Sequence, residues 1–545
     1  MNDSPNADCY PVTLVPGLSR LYLDYCAGQG AVRNFYSSLP QDGNWQQRSS
    51  VPTRPEAIPA HRPELVRLLA SQNPQPTSQP ALEALASGAG TVVTGQQVAL
   101  FGGPLFTPLK MATAVARARQ GTACGRPHVP IFWLASEDHD FAEVNHVAFP
   151  GRREIEKLVY AAAPATAQPV GSVVLDESIV PLIDRAWELL GASDAMEALA
   201  AAYQPGRTFA QAFGEFYAKM FAARGLLILD ASGREIHRLG APVLRAGIER
   251  ADEFHAALLE RNAALEAAGY HAQVAVTPQS SLLFLIDENT GAREALKRTA
   301  PSASESNGLW QAGKRTYSTE ELLAILDAEP ERVSPAALLR PVFQDFLLST
   351  SLIIGGPAEI AYFAQSAVLY ERILGRQTTA APRFSATIIE PAVGELLRKH
   401  ELPLERVLEF DEPGLAHLLA ARAMPVELKQ KLSGAGNALD AELDTLLAWM
   451  QAQDEGLGRS AETAASKMRY QMNRLRTMAA NFQLQREASL GRHTQALAQA
   501  LHPQGVLQER VHGAAYYFAR HGTELAETLC VQAEKTCPGH TALWL

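Results

Sequence analysis

Four carboxylates and two histidines crowd the ten residues from Glu137 to His146: Glu137, Asp138, Asp140 and Glu143, with His139 and His146 among them. An imidazole flanked by acids titrates near neutrality, so Asp138, His139 and Asp140 are the candidates for recognising a substrate amine or moving its proton. If the segment is helical, His139 and Glu143 share a face, as do Glu143 and His146, in the manner of metal ligands. The spacing matches no standard zinc motif, so no metal is assigned. Helix capping or surface salt bridges account for the same acids.

A second chemical stretch runs from Thr91 to Lys110, TVVTGQQVALFGGPLFTPLK. A β-branched run, a loop with Gly95, Gln96, Gln97, Gly102, Gly103 and Pro104, and an apolar, alanine-rich pattern predict strand, glycine-rich loop and helix. That order presents backbone N–H groups at a helix N-terminus, where α/β proteins hold anions or phosphorylated ligands. The dinucleotide fingerprint GxGxxG is absent, and Lys110 stands seven residues past Gly103, unlike the lysine of a Walker A loop. The same logic returns in Leu338 to Gly356, LLRPVFQDFLLSTSLIIGG, read as a strand that opens through Pro357 into a helix. Glu359 falls in that helix's first turn, where it could bind a ribose or an amine or simply complement the helix dipole. A last strand, Arg383 to Ile389, begins with a cation and, at Ser385, a hydroxyl that could meet phosphate.

The elements that must position these residues are short buried runs: Thr91–Thr94, Val129–Ala135, Gly225–Asp230, the run ending at Gly356, and Arg383–Ile389. A buried strand emptying into acids and imidazoles is where a parallel sheet places its chemistry, beyond the carboxyl ends of its strands. The chain divides into an N-terminal arm (1–60), sheet-domain segments (61–150, 206–269 and 331–390), insertions (151–205 and 270–330), a helical domain (391–502) and a C-terminal segment returning to the body (503–545). Within the helical domain, Leu439, Leu443, Leu446 and Met450, then Ala461, Ala464, Met468, Gln471, Leu475, Met478 and Phe482, follow heptad spacing. They predict an antiparallel hairpin with Gly456 and Gly458 between its arms, whose seam closes within the chain or extends to a partner.

With 545 residues, 47% hydrophobic and 19% charged, the chain is an ordinary globular composition large enough for two or three lobes. A net charge of −10 and a pI near 5.8 argue against a general nucleic-acid binder. The first residues show no export signal, and no uncharged apolar run of about 18 residues marks a membrane span, so a cytoplasmic protein is expected. Cys9, Cys26, Cys124, Cys530 and Cys537 lack CxxC spacing and are expected to be scattered thiols, not a disulfide frame.

Taken together, TGQQVALFGGPLFTPLK, PIFWLASEDHDFAEVNHV, LLRPVFQDFLLSTSLIIGGPAEIAYFAQ and PRFSATIIE resemble the motifs of the bacillithiol-synthesis cysteine-adding enzymes. The likeness runs in order over essentially the whole chain, including the helical hairpin and HPQGVLQERV from His502 to Val511. The resemblance implies an α/β fold: a Rossmann-type parallel-sheet core like that of class I aminoacyl-tRNA synthetases and nucleotidyltransferases, two connecting-peptide insertions, and a coiled coil that makes a homodimer. It implies a ligase that joins cysteine to the free amine of glucosaminyl malate, with ATP, or ADP as its product, as the bound nucleotide. In such relatives the stretch from Gln96 to Thr107 would hold an HxGH signature and the segment around Arg383 and Ser385 a mobile lysine-rich loop. This chain has neither the histidines nor the lysines, which leaves Lys110 and Arg383 as the candidate cations. The nucleotide contacts so implied are Gly102, Gly103, Pro104, Thr107, Lys110, Gly355, Gly356, Glu359, Arg383 and Ser385. Substrate contacts are Gln96, Gln97, Glu137, Asn145 and Tyr362, with Asp138, His139 and Asp140 catalytic. Two other readings compete: a dimeric nucleotide- or metabolite-binding protein without catalysis, which the missing histidines and lysines favour, and a metal-dependent hydrolase built on Glu137–His146.

Overall fold

The computed structural model describes residues 7–47, 59–151, 154–299, 309–535 and 537–545. Parts of the expected arm (1–6 and 48–58) and of the second insertion (300–308) lie outside them. The chain forms two compact units, one of residues 1–151, 156–386 and 509–541, the other of 152–155, 387–508 and 542–545. Among the described residues no helix is long and apolar enough to cross a membrane.

In the first unit β1 (Gly90–Gln97), β2 (His128–Ala135), β3 (Leu227–Asp230), β4 (Thr350–Gly355) and β5 (Thr379–Pro382) form a parallel sheet in the order β5-β4-β1-β2-β3. The strands read as continuous apolar runs because both faces are covered. Val93, Ile131, Trp133, Leu229 and Ile353 enter one core, while Val92, Leu352 and Ile354 point the other way onto Ala114 and Ala118. Those alanines belong to helix α1 (Phe106–Ala123), which follows β1. Helix α2 (Phe209–Met220) precedes β3, α3 (Arg340–Leu348) precedes β4, and α4 (Pro357–Leu374) follows it.

Several expected elements take a different form. The run LLRPVFQDFLLSTSLIIGG is not one strand: its first half is α3, with Pro341 at the helix start and Val342, Phe343 and Leu347 buried at helical spacing. Ser349, at φ 52°, then turns the chain into β4. The fifth core strand is Thr379–Pro382, so Arg383 lies just past its carboxyl end and Ala386–Ile389 is a separate strand. In the first insertion a short helical turn, Val170–Ser172, is followed by a single bridge from Val174 to Thr208. Two helices follow β3, Arg234–Glu249 and Ala251–Ala267. The second insertion carries a five-stranded antiparallel sheet whose last strand ends at Pro335.

The arm contains a helix, Arg20–Ala27, capped by the Ser19 hydroxyl and buried through Leu21, Tyr22 and Tyr25. Tyr25 donates to the Ala380 carbonyl at 2.7 Å, tying the arm to β5. Cys9 and Cys537, expected to be free, form a disulfide; at a sequence separation of 528, spacing carries no signal of it.

The second unit carries the hairpin, α5 (Val426–Gln453) and α6 (Glu455–Arg486). The turn falls at Asp454, whose carboxylate caps α6 by accepting from Leu457 N–H at 2.8 Å, so Gly456 and Gly458 lie inside the helix. Gly436, Leu443, Ala465 and Ala480 are buried between packed helices. Along the expected seam, Met468, Leu475, Met478 and Phe482 are 53–64% exposed, so that stripe does not close the hairpin on itself.

Candidate active site

The chain runs outward from β1 through β2 to β3, then returns to lay β4 on the other side of β1. At that reversal the loops leaving β1 and β4 diverge and open a crevice, the usual ligand position in an open parallel sheet. A cavity of about 360 Å³ occupies it.

One wall is acidic. Gln97, the last residue of β1, donates through Nε2 to Asp138 Oδ2 at 2.7 Å and to Glu143 Oε2 at 3.0 Å. Asp138 also accepts from the N–H groups of His139 and Asp140, at 2.7 and 3.3 Å. Burial opposes its charge, but Gln97, the two N–H groups and Arg293 hold its carboxyl below the ordinary aspartate value. Such a group is ionised at neutral pH, which makes it a strong partner for an ammonium and a weak proton acceptor.

The facing residues are mainly cationic. Lys110, from α1, donates to Gly95 O at 2.9 Å, to Gln96 Oε1 at 3.1 Å and to the Glu359 carboxylate. Burial draws its pKa below the ordinary lysine value. Burial acts against the Glu359 anion too, yet Lys110 and the Gly356 N–H, at 2.8 Å, hold Glu359 below its ordinary value. Arg383 pairs with buried Glu509 at 3.0 Å, and Glu509 also accepts from the Ala386 N–H at 3.0 Å. Arg340, which opens α3, donates to the Tyr362 hydroxyl at 3.0 Å. Gly356, Pro357 and Ala358 bring the N-terminus of α4 to the cavity, and Phe106 and Arg510 complete the lining.

Of the contacts expected from sequence, Gln96, Gln97, Lys110, Asp138, Gly356, Glu359, Tyr362 and Arg383 border this one cavity. The remainder have other employment. Glu137 turns to buried His237 at 3.0 Å, Asp140 caps a short helix through the Glu143 N–H, and Asn145 donates to Tyr160 O at 3.1 Å. His139 lies beside Phe284 of the second insertion and accepts from Arg293 at 3.4 Å. The glycine loop is a packing corner: the Gly102 N–H goes to the Tyr203 hydroxyl at 2.9 Å and its carbonyl accepts from Tyr217 at 2.6 Å. Gly102 has φ +81°, and a Cβ there would lie 2.8 Å from Phe216 of α2, which explains the glycine without a ligand. Gly103 O accepts from the Ala514 N–H at 2.9 Å, Pro104 bridges Gly513, and Thr107 is fully buried. Gly355 accepts from the Arg383 N–H at 2.9 Å, and Ser385 stands behind Arg383, 3.0 Å from Glu509.

Sequence reasoning gave no site role to Arg340, Phe106 or Arg510, and weighed Glu143 only as a metal ligand, a helix cap or a salt-bridge partner. A lone guanidinium has no spacing signature, although Arg340 and Arg510 both fall in the blocks that carry the family resemblance. Glu137, Asp140 and His146 diverge toward His237, the Glu143 amide and Asn145. Among the described residues no group of three His, Cys, Asp or Glu side chains is placed to hold a metal, so the donor set of the hydrolase reading is not assembled.

Fold and cavity together define a Rossmann-type α/β protein with a polar cavity at the sheet's reversal point. Residues 8–384 match the family described as Bacillithiol biosynthesis BshC, N-terminal Rossmann-like domain, and residues 386–544 its C-terminal coiled-coil domain. The chain belongs to the BshC family. It is 41% identical to a protein of Koribacter versatilis (strain Ellin345) over 98% of this chain and 99% of the relative. A Solibacter usitatus protein is 33% identical over the same shares, and one from Salinibacter ruber 31% identical over 93% of each chain. All three relatives bear the name "Putative cysteine ligase BshC".

Proposed function

We propose that this chain is the cysteine ligase of bacillithiol synthesis, forming an amide between the carboxyl group of L-cysteine and the amine of glucosaminyl malate with ATP as activator. The observation that carries the reading is the cavity itself, which sets the carboxylates of Asp138 and Glu143 in one lining with the cations Lys110, Arg340, Arg383 and Arg510. An amine donor and an anionic acceptor need opposite charges within one pocket, and amide formation from bound partners rests on positioning and charge stabilisation. On this reading Asp138 and Glu143 receive the ammonium of the amino sugar, Gln97 fixes their orientation, and the end of α4 with its neighbouring cations faces the activated carboxyl group. The reaction belongs to the cytoplasm, where ATP is available.

The exposed apolar stripe of α6 supports a homodimer through the hairpin, since Met468, Leu475, Met478 and Phe482 form a heptad row without cover in the single chain. A non-catalytic binding protein remains the alternative, favoured by the engagement of Lys110 and Arg383 in ion pairs. Purified protein given glucosaminyl malate, cysteine and ATP decides between them: the ligase reading expects bacillithiol by mass spectrometry. No product from the pure chain, with product restored by a cell extract, would mean the chain alone is not the enzyme. In that assay Asp138→Asn is expected to lower transfer by about 30-fold or more without unfolding the protein.

A further inference from the structure

We infer that Arg340 and Arg510 form a carboxylate clamp that binds the malyl dicarboxylate of the sugar substrate, an assignment that rests on the proposed function above. Lys110, Arg340, Arg383 and Arg510 are the cations of the cavity lining. Lys110 is committed to Glu359 and Arg383 to Glu509, with the Lys110, Arg383 and Glu509 side chains 5% exposed or less. Neither cation can turn to a ligand without leaving a buried carboxylate uncompensated. Arg340 differs: its partner among the described residues is the neutral Tyr362 hydroxyl, and no carboxylate lies within ion-pair distance of it. Arg510 is solvent-exposed and makes no hydrogen bond or ion pair among the described residues.

The cations also act on one another. Burial is the main cause that lowers Lys110 and Arg510; Arg383 and Arg340 add to it at Lys110 and Arg383 adds to it at Arg510, while Glu359 and Glu509 act the other way. The N-terminus of α4 adds positive potential. Burial opposes the Arg340 cation, and Tyr362, Glu359 and Asp138 offset that without forming an ion pair among the described residues, so the guanidinium is left to match a ligand carboxylate through two parallel hydrogen bonds. Asp138 and Glu143 in the same lining repel that end of the substrate and accept its ammonium. The clamp therefore sets the direction of the sugar in the pocket as well as its affinity.

Nucleotide phosphates share the oxyanion chemistry, so the test uses separate probes. Calorimetric titration of the full chain compares glucosaminyl malate, its dimethyl ester and ADP on wild type, Arg340→Gln, Arg340→Lys and Arg510→Gln, with melting curves for each variant. The clamp predicts that each glutamine variant weakens the diacid by roughly tenfold or more. Arg340→Lys should recover only part of that loss, because an ammonium lacks the planar fork. The ester should bind weakly and alike in all folded proteins, and ADP affinity should change less than about twofold. Diacid binding that stays within about twofold of wild type in Arg340→Lys and Arg510→Gln, or a wild type that binds neither diacid nor ester, overturns the inference. Loss confined to ADP reassigns the two residues to phosphate and overturns it as well. A wild type that binds the diacid through Arg340 and Arg510 but never makes bacillithiol overturns the ligase reading and leaves the clamp standing.

Discussion

Lys110 and Arg383 are the cations that sequence offers for a phosphate, yet each is held by a carboxylate from a distant part of the chain, Glu359 and Glu509. Removing one member of a buried pair strands the other, at a cost of about 3–5 kcal/mol. Lys110→Met is therefore expected to lower unfolding stability by about that amount in urea titration, with loss of activity following loss of cavity shape. Glu509 supplies a pH prediction. Burial alone would raise its pKa, but Arg383, His540 and the Ala386 N–H hold it below the ordinary glutamate value. The unfolded chain thus takes up a proton at a higher pH than the folded one, so this contribution is complete above the ordinary carboxylate range and is lost as pH falls through the lowered folded value. Urea unfolding at stepped pH should show wild type losing stability below about pH 5 more steeply than Glu509→Gln. An equal slope in both proteins would falsify this account of the pair. Asp138, Gln97 and Glu359 were legible as chemical residues because they stand at the ends of recognisable strands or the start of a helix. Arg340 was not, because the helix it opens looked like strand.

At the scale of elements, the hairpin separates two kinds of apolar position. Leu475 and Phe482 are 54% and 64% exposed, whereas Ala465 and Ala480 are buried within the unit. Replacing Leu475 and Phe482 by glutamate should convert the proposed dimer to monomer in light scattering, while each change alters monomer stability by no more than about 0.5 kcal/mol. Ala465→Leu should do the reverse: overpacking costs about 1–3 kcal/mol of hairpin stability. A double glutamate variant that stays dimeric refutes the exposed stripe as the interface. Heptad spacing picked out the row of Leu475 and Phe482, which is exposed in the single chain, and passed over Ala465 and Ala480, which are buried. It could not say which face meets the neighbouring helix, because small residues such as Gly436 and Ala465 carry little hydrophobic signal but permit the close approach that a packed pair needs.

At the scale of the whole molecule, the first unit is assembled from segments far apart in the chain. Residues 509–541 return to it after the helical unit, and Cys9 is bonded to Cys537 at a sequence separation of 528. Alkylation under denaturing, non-reducing conditions should label Cys26, Cys124 and Cys530 only, and reduction should expose the other pair. Five labels before reduction would show that the protein works with that bond open.

The sequence by itself determined the class of fold, the two strand-to-helix units and the residues that lead out of them, because local rules govern all of these: buried strands are apolar runs, and helices start at proline and caps. Tertiary structure alone decided which polar groups share a cavity and which are committed to packing. Gly102 and Glu359 both looked like ligand contacts, but only Glu359 reaches the crevice, since the order of strands places β4 beside β1 and the aromatic helix α2 against Gly102. Strand order and ion pairing depend on contacts between residues hundreds of positions apart, and no local pattern encodes them.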